Sequence, residues 1–310
     1  MRYLIRILES ALVVWAVASA AFFGLRLGRI DPLSALSAQG LATPDQAAEM
    51  RSELGLDQPI MKQYADYLAG ILHGDLGRSL FSGQDVAEMI RQAAAYTIPL
   101  AAAAWVLSVL AGVGLGAAAA RRDLAGPEGA IGRIASAALA VGASTPVAWS
   151  GLVLVWISVP VIGAGLSAGL RDALDVLLPA LALAVTVGCG IGRAAESSIR
   201  QARGEPFHLA MRAHGFPTGG RADWKLLRAA IAPVLTLAGV EAAFLLGGTM
   251  ITEVVFARPG LGRILVDAIL RGDYPVVQAV LGLAALGYVV LDMTADFSAA
   301  AFDPRLREAA

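Results

Sequence analysis

Glu205-Pro206-Phe207-His208-Leu209-Ala210-Met211-Arg212-Ala213-His214-Gly215 sits inside a polar interruption, Arg193 to Arg228. Uncharged Val176–Gly192 precedes it, and Ala229–Thr252, with Glu241 as its one charge, follows. Long runs of this kind read as membrane-crossing helices. Pro206 suits a first helical position and Gly215 the residue after a helix end. The interruption therefore reads as a short helix of about nine residues, roughly 14 Å long, between two spans. Its apolar face is modest, which argues against strong binding to a bilayer surface. A compact knob of this size suits a cleft on a partner protein.

The same pattern extends through the chain. Ala93–Ala120 has 28 residues without a charge, and Ile134–Leu170 has 37, interrupted by Pro146 and Pro160. Tyr274–Leu291 has 18, and Ser10–Leu25 begins the series. Hydrophobic residues make up 57% of the sequence, and the mean hydropathy is +0.67. The expectation is an all-α membrane protein with six transmembrane helices. Residues 1–27 form the first, and 93–302 hold the other five with the polar loop 193–228. Residues 303–310 are a tail. Arg2 and Arg6 before the first run, and Ala18-Ser19-Ala20 within it, resemble a signal peptide. The run continues through Phe22, Phe23 and Leu25, so an uncleaved first helix is expected.

Placing the N-terminus inside puts fourteen Lys and Arg residues on the cytoplasmic side and nine opposite, five of those in one long loop. Long loops count less in setting orientation, so both termini are expected in the cytoplasm. The long loop, 28–92, is expected to be an external helical subdomain. Thr43-Pro44-Asp45-Gln46 carries a capping Thr, a first-turn Pro and a Gln three residues on. Gly55 is placed to end that helix, and Asp57-Gln58-Pro59 to open another bearing Tyr64 and Tyr67. This subdomain reads as a lid on the membrane region, a docking platform, or both. Gly112, Gly114 and Gly116 alternate along the second run, where small residues allow close helix approach.

Several functions find no support. The net charge is −1 and the pI about 6.3, against nucleic-acid binding. Cys189 is the sole cysteine, so no internal disulfide can form. His73, His208 and His214 lack metal-ligand spacing, and no nucleophile–base pair is readable. The only lysines, Lys62 and Lys225, follow no phosphate-binding glycine pattern. The chain is therefore expected to be neither an enzyme nor a holder of a metal or nucleotide.

Charges inside spans suggest function or pairing within a bundle. Glu241 lies in the middle of the fifth run, and Asp292 and Asp296 lie four apart in the sixth. Glu241 is the leading residue for lining a solute path, with Asp292 beside it. An ion-coupled secondary transporter built on these carboxylates is the alternative reading, although no inverted repeat is detectable.

From Ala194 to Arg307 the chain resembles the inner-membrane permease subunits of ABC importers of the dipeptide/oligopeptide/nickel class. Ala210-Met211-Arg212-Ala213-His214-Gly215, with Pro233 beyond, is similar to their cytoplasmic signature, although Met211 and His214 depart from it. Leu246-Gly247-Gly248-Thr249-Met250-Ile251-Thr252-Glu253-Val254-Val255-Phe256 and Arg258-Pro259-Gly260-Leu261-Gly262-Arg263 follow in order. Asp273-Tyr274-Pro275-Val276-Val277-Gln278 and Asp303-Pro304-Arg305-Leu306-Arg307 complete the series. Upstream, Gly55-Leu56-Asp57-Gln58-Pro59 and Gly74-Asp75-Leu76-Gly77 with Ser79 are also similar.

The resemblance implies half of a translocation path, paired with a second related permease. Two ATPase subunits would bind ATP and Mg2+, and an external solute-binding protein would deliver cargo. Cargo would be peptides, or nickel and metallophore complexes. Glu205, Phe207, Ala210, Met211, Arg212, Ala213, His214 and Gly215 would contact an ATPase. Glu253 and Asp296 match family positions and imply structural pairing. Arg258, Pro259, Gly260, Gly262 and Asp273 would form the external mouth. Glu196 departs from the family, which commonly has a basic residue nearby.

Overall fold

The computed structural model describes residues 2–27, 43–53, 55–124, 126–163, 168–206, 210, 213–214 and 221–302. For 2–5, 44, 47, 48, 50, 53, 160–163, 168–171, 221–232 and 296–302 only the backbone is described. The described residues are almost wholly helical: α1 (Arg2–Leu27), α2 (Pro44–Glu53), α3 (Ile60–His73), α4 (Val86–Ala119), α5 (Pro127–Ala143), α6 (Val147–Gly163), α7 (Ala168–Gly204), α8 (Arg221–Val255), α9 (Leu261–Arg271) and α10 (Tyr274–Phe302). Among them the sole extended pairing is an isolated bridge, Arg78 to Asp85.

Among the described residues five helices are long and apolar enough to cross a membrane, and a sixth crossing exists if α5 and α6 count as one. That pair covers most of the apolar run Ile134–Leu170 expected to be the third span, and it is bent rather than straight. α5 and α6 meet at 105° across Ser144-Thr145-Pro146. Pro146 has no N–H to continue the ladder, and its ring disfavours a helical residue before it. The neighbouring polar groups are satisfied locally. Ser144 Oγ donates to Ala140 O at 2.9 Å and Thr145 Oγ1 to Val141 O at 2.8 Å. α7 supplies Thr186 Oγ1, which donates to Thr145 O at 2.8 Å.

The chain divides into two compact units. The first comprises residues 1–97 and 257–287. Its local signals act as the sequence predicts. Thr43 N donates to Gln46 Oε1 at 2.9 Å and Gln46 N to Thr43 Oγ1 at 3.3 Å, a reciprocal capping box. Gly55, the expected helix end, adopts φ +64°. Gly74, which the sequence reading did not place as a helix end, closes α3 at φ +77° by donating to the Gly70 and Ile71 carbonyls. α3 lays Tyr64 and Tyr67 on α1. Their ring centroids lie 5.2 and 5.4 Å from Phe22, which is fully buried. The Arg26 guanidinium stands 3.6 Å from the Phe22 ring centroid and donates through Nε to Gln63 Oε1 at 3.0 Å. Such cation–π stacking gains strength where water is excluded. Ser19 Oγ and Tyr64 OH share a 2.6 Å hydrogen bond.

The second unit comprises residues 98–256 and 288–310. α7 is its most enclosed candidate span: 44% of its apolar window is buried, against 11–28% for the other four candidates. Against α4 the approach is backbone to backbone. A Cβ on Gly112 would overlap the Gly188 carbonyl, and one on Gly116 the Gly192 carbonyl. Gly114 has nothing near it, so two of the three alternating glycines serve packing here. Gly142 of α5 meets Cys189 of α7 equally closely, and Cys189 lies in a cluster with Ala119, Ala135 and Leu139. α8 joins through Ile191, Ala195, Val234 and Ala238, and Trp105 Nε1 donates to Ala238 O at 2.9 Å. Outward positions stay apolar, as with Trp156, which is 79% exposed. That is the pattern of a surface solvated by lipid.

Tyr67 generates a pH prediction. Its hydroxyl is buried without a hydrogen-bond partner among the described residues, and burial, reinforced by Tyr64, pushes its pKa up to about 12. A phenol held above its unfolded value contributes stability that is complete below about pH 10 and lost as pH rises towards 12. Tyr67→Phe removes the unsatisfied hydroxyl, so it is expected to be neutral or stabilising near pH 8. Thermal melts of the solubilised protein from pH 9 to 12 should show the wild type losing more stability than the variant. Parallel losses would refute the assignment.

Candidate functional site

The segment joining α7 to α8 is shorter than the charge pattern implies. α7 carries its helix through Arg193, Arg200 and Arg203 to Gly204, and α8 begins at Arg221. Only residues 205–220 of the polar loop lie between them. There Pro206, Ala210 and Ala213 are helical, His214 is in a turn, and His214 N donates to Ala210 O at 3.0 Å. Glu205, Ala210, Ala213 and His214 are exposed. Phe207, Met211, Arg212 and Gly215 lie outside the described residues.

Glu241 stands in α8 facing the α7 backbone: a Cβ on Gly190 would lie 3.7 Å from Glu241 Oε1. Asp292 lies on α10. The two helices meet where a Cβ on Gly239 would overlap that of Ala295, and again where the Phe244 and Tyr288 rings lie 6.3 Å apart. Glu241 falls between the first members of these pairs and Asp292 between the second. The two carboxylates therefore share a level on neighbouring helices. Both are half-buried, and neither has a hydrogen bond or ion pair among the described residues. Glu253 differs: it is fully buried near the end of α8 and is engaged, beside buried Thr249 and Thr252. Asp296 lies on α10, with its side chain outside the described set.

In the first unit, two blocks far apart in sequence form one structure. Asp273, 4% exposed, accepts from Ser79 Oγ at 2.5 Å and from Leu80 N at 3.1 Å. A Cβ on Gly77, whose φ is +78°, would stand 3.6 Å from Pro275 Cβ. The Gly74–Ser79 turn is thus clamped to the start of α10. Gly260 caps α9, and Leu261 N donates to Thr97 Oγ1 at 2.9 Å. Gly262 is buried, Arg258 half-buried and Pro259 exposed. Among the proposed mouth residues, Asp273, Gly260 and Gly262 are interior and Pro259 presents surface.

One constellation escaped the sequence reading. Glu196 on α7, 8% exposed, accepts from Ser136 Oγ of α5 at 3.1 Å and pairs with Arg122 Nη1 at 3.1 Å. Arg200 reaches Asp123 at 2.9 Å and Glu196 at 3.8 Å. These residues border a cavity of about 780 Å3 that also touches Arg193 and Arg203. The signal was present in arginines placed just beyond the second and fourth runs, but those were read for orientation alone.

Comparisons with known proteins bear on this arrangement. Residues 112–308 match the family of binding-protein-dependent transport system inner membrane components, and residues 1–101 match that family's N-terminal region. The chain belongs to this family. It is 33% identical to the probable peptide ABC transporter permease y4tP of Sinorhizobium fredii, over 98% of this chain and 99% of that one. It is 30% identical to the dipeptide transport system permease DppB of Escherichia coli K12, covering 89% and 90% of the two chains. Against the glutathione transport system permease GsiC of Salmonella choleraesuis the identity is 32%, covering 86% and 87%. A solved structure described as an amino acid ABC transporter with histidines aligns at TM-score 0.51 and 19% identity. It covers 71% of this chain and 94% of that chain, a likeness of fold. The chain is thus a multi-pass inner-membrane permease of the peptide ABC importer family, a non-catalytic subunit.

The Asp273 clamp of this permease is testable. Asp273→Ala would strand the Ser79 hydroxyl and the Leu80 N–H, at a cost of about 1–3 kcal/mol each. Thermal unfolding of the solubilised permease should show a fall larger than that of exposed Asp75→Ala. Equal effects would deny the clamp its structural weight.

Proposed function

We propose that the chain forms half of the translocation path of an ATP-driven importer of short peptides, paired with a second related permease. The near full-length identity with y4tP, a probable peptide permease, is the observation that carries this reading. DppB and GsiC, named for dipeptide and glutathione transport, support the same solute class. Nickel or metallophore complexes are the secondary solute class. Two ATPase subunits would hold ATP and Mg2+, and an external binding protein would present the solute above residues 258–273. Both termini and the 205–220 segment would face the cytoplasm. Membership of the importer family displaces the ion-coupled reading of the intramembrane carboxylates.

In this reading the exposed turn at Ala210–His214 docks on one ATPase. ATP-driven closure of the ATPase pair moves that segment and favours one arrangement of the spans. A partner shifts such an equilibrium only through its different affinity for the two states. Glu241 and Asp292, level with one another and without ion pairs among the described residues, would line the path and favour cationic groups such as peptide amines.

Two experiments test the proposal. Gentle detergent pull-down of the tagged chain should recover an ATPase and a second permease. Ala210→Pro, costing about 3 kcal/mol in a helix interior, should release the ATPase and retain the permease partner. Undiminished ATPase recovery would remove this segment from the contact. In assembled transporter, Glu241→Gln should lower uptake of a free-amine dipeptide more than that of its N-acetylated form. Unchanged uptake of both would take Glu241 off the path.

A further inference from the structure

The cavity bordered by Glu196 is not accounted for by solute passage or ATPase coupling. Four arginines line it, Arg122, Arg193, Arg200 and Arg203, against two carboxylates, Asp123 and Glu196. The carboxylates are taken up within the wall: Glu196 by Arg122 and Ser136, Asp123 by Arg200. Arg203 Nη1 donates to the Ala120 carbonyl, and Arg203 has a further partner. Arg193 is exposed and has no hydrogen bond or ion pair among the described residues. The lining is therefore positive on balance and presents an uncommitted guanidinium. Its volume, about 780 Å3, lies in the range of small-molecule sites.

Depth identifies the occupant. Arg193 is the first residue after uncharged Val176–Gly192, and Arg121 and Arg122 are the first after uncharged Ala93–Ala120. Both helices cross from hydrocarbon to polar surroundings at the cavity. From Arg193 to Arg200 along α7 is about 10 Å, so the basic lining starts at the hydrocarbon edge and runs through headgroup depth. Leu124 and Ala140 add an apolar wall. Basic pockets between transmembrane helices at this level suit anionic headgroups, and guanidinium forks match phosphate geometry.

We propose that this cavity binds the phosphate headgroup of an anionic phospholipid, with Arg193 contacting the phosphate. The cluster then fastens α5 and α7 together at the bilayer surface and makes the permease sensitive to lipid composition. The inference does not depend on which solute is carried, and only the leaflet rests on the proposed orientation.

The test uses the intact importer, purified in detergent with equal phosphatidylglycerol and phosphatidylcholine and stripped stepwise, with retained lipid quantified by mass spectrometry. Wild type should retain phosphatidylglycerol preferentially. Arg193→Gln should cut that preference about fivefold, the loss expected of one arginine at the surface, with an unchanged melting temperature. Arg193→Lys should restore most of it, and Arg91→Gln, in the second turn of α4 and not among the lining residues, should leave it intact. Equal retention of the two lipids, or a preference indifferent to Arg193→Gln, would overturn the proposal. Displacement of the lipid by inorganic phosphate would assign the site to a free anion instead. Retention by the isolated chain but not by the importer would show that a partner subunit covers the cavity, which also defeats it.

Discussion

The second unit depends on the contact between α4 and α7, where glycine meets glycine. In lipid, helices gain little from burying apolar surface against each other, so association rests on close packing and hydrogen bonding. Gly112 and Gly116 of α4 lie against the carbonyls of Gly188 and Gly192, too near for any Cβ. A Cβ on Gly188 would stand 3.1 Å from the Ser108 carbonyl. The four positions repeat at a spacing of four, so each helix offers one continuous small-residue face. Gly114, two residues from either partner, falls off that face and touches nothing. With α4 this close, α7 is enclosed, and α5, α6 and α8 are arranged around it.

The same enclosure governs the polar groups. A buried break in a helix must satisfy the carbonyls and amides it frees. Between α5 and α6 this is done by hydroxyls: Ser144 and Thr145 bond back along α5, and Thr186 donates from α7. Ser150 in the first turn of α6 donates to Ala182 O of α7 at 3.0 Å. Lower on α7, Ser136 and Arg122 satisfy Glu196. These ties lie along α7 and position α5 and α6 where hydrophobic contact alone would let them slide.

Patterns confined to one element were legible in the sequence. The uncharged runs became helices because their lengths are close to what a bilayer crossing requires, except the 37-residue run, which divides at Pro146. The capping box at Thr43–Gln46 and the helix end at Gly55 were legible because every participating atom lies within a few residues. What sequence did not reveal depends on pairing at a distance. The 105° turn at Pro146 is compatible with an apolar run of 37 residues, because composition carries no direction. Ser79 and Asp273 lie 194 residues apart, and neither has a local pattern that names the other. Glu196 looked like a departure from a family pattern, yet Ser136 and Arg122 on other elements supply its partners. The polar interruption is a statement of charge, and helix runs through part of it: Arg193 to Gly204 continues α7.

That overrun has a mechanical meaning for the proposed coupling. α7 extends for 37 residues, about 55 Å, without a break, and ends where the exposed turn begins. α8 departs from the other end of the same segment and returns along α7, joined to it by Ile191, Ala195, Val234 and Ala238. In that proposal a displacement imposed between residues 205 and 220 would reach two packed helices together, with Pro179 inside α7 and Pro233 inside α8 as the points where either could bend. The Glu196 cluster lies one to three turns before that segment and ties α7 to α5. Further along, Gly190 faces Glu241, and α10 brings Asp292 to that level. The carboxylates proposed for the path thus sit on helices that are continuous with, or packed against, those a cytoplasmic partner would move. On the proposed reading, coupling would need no additional relay: the helix that would receive the push packs against the one that carries Glu241, the residue proposed for the path.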